Sequence, residues 1–151
     1  MKIIIGSDHA GYELKERIKG YLDGLGFEYE DVGPKSLDPS DDYPDYIISA
    51  AKKVAENLKE NKGIVIGGSG QGEAIAANKV KGIRAAAYYG GSLDIVKLSR
   101  AHNDSNVLSL GARFLTQEDA IEAVKVWLET PFSNEERHER RIEKIRAFEN
   151  K

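Results

Sequence analysis

Short apolar runs that alternate with helix-like stretches are the feature that most constrains the fold of this chain. The apolar runs predict strands at residues 2–5, 27–32, 63–66, 83–88 and 107–110. Between them, apolar residues recur at intervals of three or four positions, which is typical of helices that bury one face. Strands and helices that alternate at this length form right-handed crossovers, so the sequence predicts an α/β fold with a parallel sheet.

Turn and capping residues set the expected boundaries of these elements. Residues 33–44 carry Pro34, Pro39 and Pro44 and are predicted to form a loop. The second helix is predicted to run from Ile47 to Leu58. Thr116 to Asp119 and Ser133 to Glu136 both resemble helix caps, so a helix is expected after each, the last of them charged and reaching about residue 149.

Length and charge exclude several classes of protein. With 151 residues, the chain is expected to form one domain over residues 1–151, and its net charge of −3 argues against a general nucleic-acid binder. No apolar run is long enough to span a bilayer, no signal-peptide pattern follows Met1, and there are no cysteines. We therefore expect a cytoplasmic protein with no membrane or nucleic-acid partner.

Ligands of parallel α/β sheets bind beyond the carboxyl ends of the strands. The segments that follow the predicted strands are therefore where the chemistry is expected: residues 7–11, 67–73, 88–92 and 111–113. The most informative of them is the run from Gly67 to Glu73, which lies between an apolar strand and a helix. Such a turn exposes backbone N–H groups at a helix N-terminus and can hold a phosphate or an oxyanion.

The turn is not a complete nucleotide-binding motif. It contains G-x-G-x-G but neither the full dinucleotide fingerprint nor the Gly-Lys-Ser/Thr of a P-loop. A tight strand–helix connection without a ligand is the structural alternative. Glu73 is a candidate general base, or else a first-turn Glu that favours the helix dipole. The dipole would lower the pKa of Glu73 and burial would raise it, and the sequence leaves that balance open.

Two further polar groups are candidates for the site. Asp8 and His9 follow the first strand and could contact substrate hydroxyls or a ring oxygen, or could cap the first helix. His102, Asn103 and Asp104 lie between a helix and the fifth strand. They could form a donor–acceptor site with His102 as the acid, or simply a loop that ends the helix.

Arginines of the last helix offer a candidate phosphate site. Arg137 and Arg141 are four residues apart and share one helix face, where two guanidinium groups could hold a phosphate. Arg113, after the fifth strand, could join them. The alternative is a solvated face whose arginines pair with neighbouring glutamates. The histidines are scattered without metal-ligand spacing, so neither a metal nor a cofactor is expected.

Together these segments resemble the ribose-5-phosphate isomerase type B family, which includes the subunits of galactose-6-phosphate isomerase. The resemblance extends from Lys2 to the last helix. It is carried by Ser7-Asp8-His9-Ala10-Gly11, Asp42-Tyr43-Pro44, Gly67-Gly68-Ser69-Gly70-Gln71-Gly72-Glu73, Ile75-Ala76-Ala77-Asn78-Lys79, Gly82-Ile83-Arg84-Ala85-Ala86, Ser99-Arg100-Ala101-His102-Asn103 and Arg137-His138-Glu139-Arg140-Arg141.

The resemblance implies a Rossmann-like three-layer α/β/α sandwich with a five-stranded parallel sheet and an extra C-terminal helix. It also implies a homodimer or homotetramer that interconverts ribose 5-phosphate and ribulose 5-phosphate through a cis-enediolate, a step of the pentose phosphate pathway, without a metal. One alternative is an isomerase of a six-carbon sugar phosphate, allose or galactose 6-phosphate. Others are a non-catalytic sugar-phosphate-binding subunit and a nucleotide-binding Rossmann module.

The same resemblance assigns expected roles to individual residues. Many family members have a Cys base just before the glycine turn, where this chain has Gly67, and a subgroup uses the Glu that closes the turn instead. Glu73 is therefore the expected base, His102 with Asp8 assists ring opening, and Ser69 relays or orients a proton. The resemblance further implies that some groups cross a dimer interface. The expected substrate-binding residues are Asp8, His9, Gly68, Gly70, Gln71, Gly72, Asn103, Arg113, Arg137 and Arg141.

Overall fold

A computed structural model describes all residues from 1 to 151 and shows five strands and six helices in alternation. The elements are β1 (Lys2–Ser7), α1 (Tyr12–Gly24), β2 (Glu28–Asp31), α2 (Tyr43–Ala55), β3 (Asn61–Gly67), α3 (Gln71–Asn78), β4 (Ala85–Tyr88), α4 (Asp94–Ala101), β5 (Val107–Gly111), α5 (Gln117–Glu129) and α6 (Glu136–Glu149).

The strands form one parallel sheet in the order β2-β1-β3-β5-β4. One face of the sheet buries apolar residues of α1, α4 and α5, and the other buries those of α2 and α3. The carboxyl ends of β3 and β5 lie side by side, with Gly67 paired to Gly111. This confirms the predicted α/β fold with a five-stranded parallel sheet and a C-terminal helix.

Successive residues of a strand point to opposite faces, and the central strands supply both halves of the core. Ile3 and Ile5 of β1 are fully buried on the α1 side, whereas Ile4 lies on the α2 side at 1% exposure. Burial of each such side chain stabilises the fold by about 1.5–3 kcal/mol. The sheet is therefore a rigid base for the loops at its edges.

Two predicted boundaries differ from the structure. Helix α2 ends at Ala55 rather than Leu58, because Leu58 leaves the helix and lies over Gly82, where a Cβ atom would be 2.9 Å from the leucine Cδ1. Ser133 is not the cap of the last helix. Its hydroxyl accepts a hydrogen bond from the backbone N–H of Glu135, which is itself the N-cap residue and makes no side-chain capping bond. The predicted cap at Thr116 is confirmed, since its hydroxyl accepts from the Asp119 N–H at 3.0 Å.

Helix α6 lies along the edge of the sheet where the strands begin. Near its start, the Ser133 N–H donates to the Ala101 carbonyl, and near its end the Glu149 carboxylate accepts from the Gly82 N–H. Ala101 and Gly82 belong to the segments that lead into β5 and β4. The last helix is therefore at the opposite edge of the sheet from the glycine turn. No helix of the chain has the length and apolar character needed to cross a membrane.

Candidate active site

The glycine turn is fixed at both ends by hydrogen bonds. Gly70 takes φ = 77°, which a residue with a side chain rarely adopts, and helix α3 begins immediately after it. The Ser69 hydroxyl accepts from the Gln71 N–H at 3.2 Å, and the Ser109 hydroxyl of β5 donates to the Gly70 carbonyl at 2.7 Å. These hydrogen bonds fix the shape of the turn, with the first N–H groups of α3 at its tip.

The turn is also joined to the end of β5. The Ala112 N–H donates to the Gly67 carbonyl at 2.8 Å, and the Arg113 N–H donates to the Gly68 carbonyl at 3.0 Å. The guanidinium of Arg113 then lies over Gly68, where a Cβ atom would be 3.2 Å from its Nη1. A cationic side chain is thus placed beside backbone N–H groups, which favours binding of an anion such as a phosphate.

The carboxylate of Glu73 occupies the space where a side chain at position 67 would be. A Cβ atom on Gly67 would lie 1.8–2.5 Å from the carboxylate atoms of Glu73, far closer than atoms can approach. Glu73 is only 4% exposed although it is in the first turn of α3. The glycine at 67 and the glutamate at 73 are therefore one structural unit, because a side chain at the first excludes the carboxylate of the second.

The environment raises the pKa of Glu73. Burial is the main cause, and the negative charge of Asp8 adds to it. The backbone N–H groups of Gly70 and of Glu73 itself act in the opposite direction but do not outweigh burial. A carboxylate with raised proton affinity is a stronger base, and it suits proton abstraction near neutral pH.

Asp8 and His9 lie at the same edge of the sheet. Asp8 is 8% exposed, and one of its carboxylate oxygens accepts from the Gly11 N–H at 3.1 Å. The His9 Nδ1 lies 2.8 Å from Oδ1 of Asp41, and the His9 backbone N–H donates to the same oxygen at 3.1 Å. Because a carboxylate only accepts, Nδ1 of His9 carries the proton and Nε2 is left free for a ligand.

Asp41 is a site residue that the sequence did not reveal. Its side chain is 4% exposed, and its second carboxylate oxygen is buried without a hydrogen-bond partner. It lies in the loop predicted from its prolines, 32 positions from His9. No local pattern marks it, since three other aspartates lie within four residues of it.

His102 and Asn103 lie elsewhere in the chain. They follow α4 and lead into β5, so they are at the edge where the strands begin, whereas Glu73 is where β3 ends. The Asn103 carbonyl accepts from Nε of Arg84 at 3.0 Å. A single chain therefore does not bring His102 or Asn103 to Glu73.

The arginines are divided in the same way. Arg113 lies beside the glycine turn, but Arg137 and Arg141 project from exposed positions on α6 at the opposite edge. Arg137 pairs with Glu135, its Nε lying 3.0 Å from the carboxylate. The expected three-arginine phosphate site is not assembled within one chain.

Oxyanion binding is the chemistry that this site offers. No group of three or more His, Cys, Asp or Glu side chains is arranged to hold a metal ion. This edge of the sheet instead combines backbone N–H groups, a guanidinium, a histidine and a buried carboxylate. That combination suits a phosphorylated small molecule that loses a proton to the carboxylate while the N–H groups stabilise the resulting oxyanion.

Comparison with known proteins gives concordant matches. Residues 3–145 match the family model described as Ribose/Galactose Isomerase. Ribose-5-phosphate isomerase B of Mycobacterium tuberculosis is 42% identical over 149 residues, which span 99% of this chain and 90% of that protein. A crystal structure of ribose-5-phosphate isomerase B from Mycoplasma genitalium with bound ribulose-5-phosphate matches with a TM-score of 0.95 and 41% identity, covering 99% of this chain and 97% of that one. The Clostridium thermocellum enzyme matches with a TM-score of 0.92 and 43% identity, covering 99% and 98%. The chain therefore belongs to the ribose/galactose isomerase family.

Proposed function

We propose that this protein is an aldose–ketose isomerase that interconverts ribose 5-phosphate and ribulose 5-phosphate. The observation that carries the proposal is the buried carboxylate of Glu73, seated over Gly67 beside the backbone N–H groups of the glycine turn. The similarity to ribose-5-phosphate isomerases B over nearly the whole chain supports the same substrate.

The proposed mechanism begins with the cyclic sugar. His102 donates a proton to the ring oxygen as the bond from C1 to that oxygen breaks, and Asp8 accepts the proton of the C1 hydroxyl. Glu73 then removes the C2 proton and returns it to C1 through a cis-enediolate. Backbone N–H groups from Gly68 to Gly72 stabilise the oxyanion that develops on the C1 oxygen. The proton of the C2 hydroxyl passes to that oxygen, and Ser69 orients or relays it.

Two copies of the chain are needed to complete this site. Glu73 and Arg113 lie at one edge of the sheet and His102 at the other, so a homodimer, or a pair of dimers, would bring them together. One copy supplies Asp8, His9, the glycine turn and Arg113, and the other supplies His102, Asn103, Arg137 and Arg141. The homo-oligomer, the single domain over residues 1–151 and the cytoplasmic location remain predictions.

A panel of phosphorylated aldoses tests the proposed substrate. The protein is incubated separately with ribose 5-phosphate, allose 6-phosphate and galactose 6-phosphate in the presence of EDTA. Formation of the ketose is followed by NMR. We expect ribulose 5-phosphate to form from ribose 5-phosphate, because the N–H groups hold the oxyanion without a cation. Faster conversion of a six-carbon substrate would reassign the substrate. Binding without turnover would favour a non-catalytic subunit, and activity restored only by a divalent metal would overturn the metal-free mechanism.

Arg137→Ala and Arg141→Ala are each expected to raise KM for the sugar phosphate. Each substitution removes a charge-assisted contact worth about 1.5–3 kcal/mol, which is roughly a ten- to hundredfold change in affinity. Arg140→Ala is the matched control, because Arg140 is also exposed on α6 and pairs with a neighbouring glutamate, as Arg137 does, but is not one of the proposed phosphate-binding arginines. Steady-state kinetics that are unchanged in both variants would show that these arginines form only a solvated face.

A further inference from the structure

The imidazole rings of His102 and His138 form a stacked pair. Their centroids are 4.1 Å apart and their planes differ by 16°. His138 lies on the first turn of α6 and its side chain is 6% exposed, whereas His102 is the residue that ends α4. The face of one ring therefore rests on the face of the other, which restricts the orientation of both.

The surroundings of His138 favour its neutral form. Burial lowers the pKa of His138, and the charges of His102, Arg137 and Arg141 lower it further, against an opposing effect of Glu135. Its Nε2 atom is buried without a hydrogen-bond partner, and the nearest carboxylate oxygen, of Glu135, is 4.0 Å away. His138 thus offers its ring face, not a proton, to its neighbour.

The same pair attaches the last helix to the rest of the chain. His138 and Ile142 are the only buried residues of α6, so the ring that stacks on His102 attaches the first turn of the helix, together with the hydrogen bond from Ser133 to Ala101. The loop after His102 is itself braced, because the Asp104 carboxylate receives hydrogen bonds from Arg84 and Arg100. The orientation of the His102 ring is thereby linked to a helix that carries Arg137 and Arg141.

We propose that His138 is a positioning residue that holds the imidazole of His102 in the orientation needed to open the sugar ring. This inference rests on the proposed function, in which His102 protonates the ring oxygen. A general acid acts only when its proton points at the accepting atom, and a misplacement of about 1 Å can cost about a hundredfold in rate.

Ring opening can be separated from proton transfer by choosing the substrate. Ribose 5-phosphate is a cyclic hemiacetal, whereas ribulose 5-phosphate has its 5-hydroxyl esterified and cannot close to a furanose. Exchange of a C1 proton of ribulose 5-phosphate in heavy water therefore needs Glu73 but not ring opening. We therefore compare two rates at saturating substrate: the turnover of ribose 5-phosphate and the C1 proton exchange of ribulose 5-phosphate. The ratio of the first rate to the second reports on the positioning of His102.

His138→Ala is expected to lower this ratio about ten- to a hundredfold, and His138→Phe, which keeps a stacking ring without ring nitrogens, to restore it. If the alanine variant fails to fold, His138→Gln, which also lacks a ring, is tested in its place. Ile142→Ala is the control: it removes the other buried residue of α6, lowering the thermal midpoint without changing the ratio.

A ratio that stays at the wild-type value in His138→Ala or His138→Gln would overturn the proposal. So would an equal fall in His138→Phe, which would assign the role to a ring nitrogen, or a parallel loss of turnover and exchange, which would indicate a merely structural residue. If the wild type acts on a six-carbon pair instead, only the substrate assignment fails. Exchange of the C1 proton is then measured with the 5-deoxy analogue of that ketose 6-phosphate, because the ketose itself has a free 5-hydroxyl and closes to a furanose. If no sugar is turned over, both proposals fall.

Discussion

Glu73→Gln is expected to reduce the turnover number by at least about 10²–10⁴-fold, because Gln cannot accept the proton from carbon. The amide keeps the size of the side chain and fits the same space over Gly67, so folding and substrate binding should be retained. The measurement is kcat for ribose 5-phosphate, with KM and the far-UV circular dichroism spectrum as controls. A variant with near wild-type kcat would show that another group is the base.

The same substitution has an expected effect on stability. Burial raises the pKa of Glu73 above its ordinary value of 4.5, so the folded state binds this proton more tightly than the unfolded state. The free energy of unfolding therefore falls as pH rises from the pKa of Glu73 in the unfolded chain through its higher pKa in the folded protein. At neutral pH the buried carboxylate destabilises the fold, and Glu73→Gln should raise the free energy of unfolding.

Denaturant titrations at neutral pH and near pH 4 measure this effect. The gain in the free energy of unfolding should be present at neutral pH and should shrink as pH falls below the unfolded pKa, because both states then carry the proton. If Glu73 only favoured the helix dipole, its charged form would stabilise the fold. Glu73→Gln would then lower the free energy of unfolding at neutral pH by about 0.3–1 kcal/mol. Destabilisation of the variant at neutral pH would support that simpler role.

Gly67→Ala is expected to abolish most activity without unfolding the protein. A Cβ atom at this position would lie 1.8–2.5 Å from the carboxylate atoms of Glu73, so that flexible side chain must move away. Displacement of a base by about 1 Å can cost about a hundredfold in rate, and this displacement is larger. The measurement is kcat together with the thermal midpoint.

Gly20→Ala is the matched control for the glycine substitution. Gly20 lies in the middle of α1, and a Cβ atom there would meet nothing within 4 Å. This change should leave kcat unaltered and stabilise the helix by roughly 0.5–1 kcal/mol. Wild-type activity in Gly67→Ala would contradict the structural pairing of Gly67 with Glu73.

The strands and the glycine turn could be predicted because their signals are local. The apolar run before Gly67 and the helical pattern after Glu73 identify a strand–turn–helix unit from neighbouring residues alone. The direction of the pKa shift of Glu73 could not be predicted, because the helix dipole and burial oppose each other. Glu73 is 4% exposed, and its burial outweighs the backbone N–H groups that lower its pKa.

Contacts between distant segments were the part that the sequence did not reveal. Asp41 reaches His9 across 32 positions, and His138 reaches His102 from another helix. Neither pair has a spacing that predicts contact.

The separation of His102 from Glu73, by contrast, follows from chain order. His102 precedes β5 and Glu73 follows β3, so the two lie at opposite edges of a parallel sheet.

Proton exchange in heavy water is the most direct test of the claim that Glu73 moves a proton between C2 and C1. Wild-type protein is incubated with ribose 5-phosphate in deuterium oxide, and the C2 proton is followed by NMR beside the Glu73→Gln variant. We predict loss of the C2 proton signal and formation of ribulose 5-phosphate with the wild type, and neither with the variant. Exchange by Glu73→Gln at near the wild-type rate would contradict the mechanism.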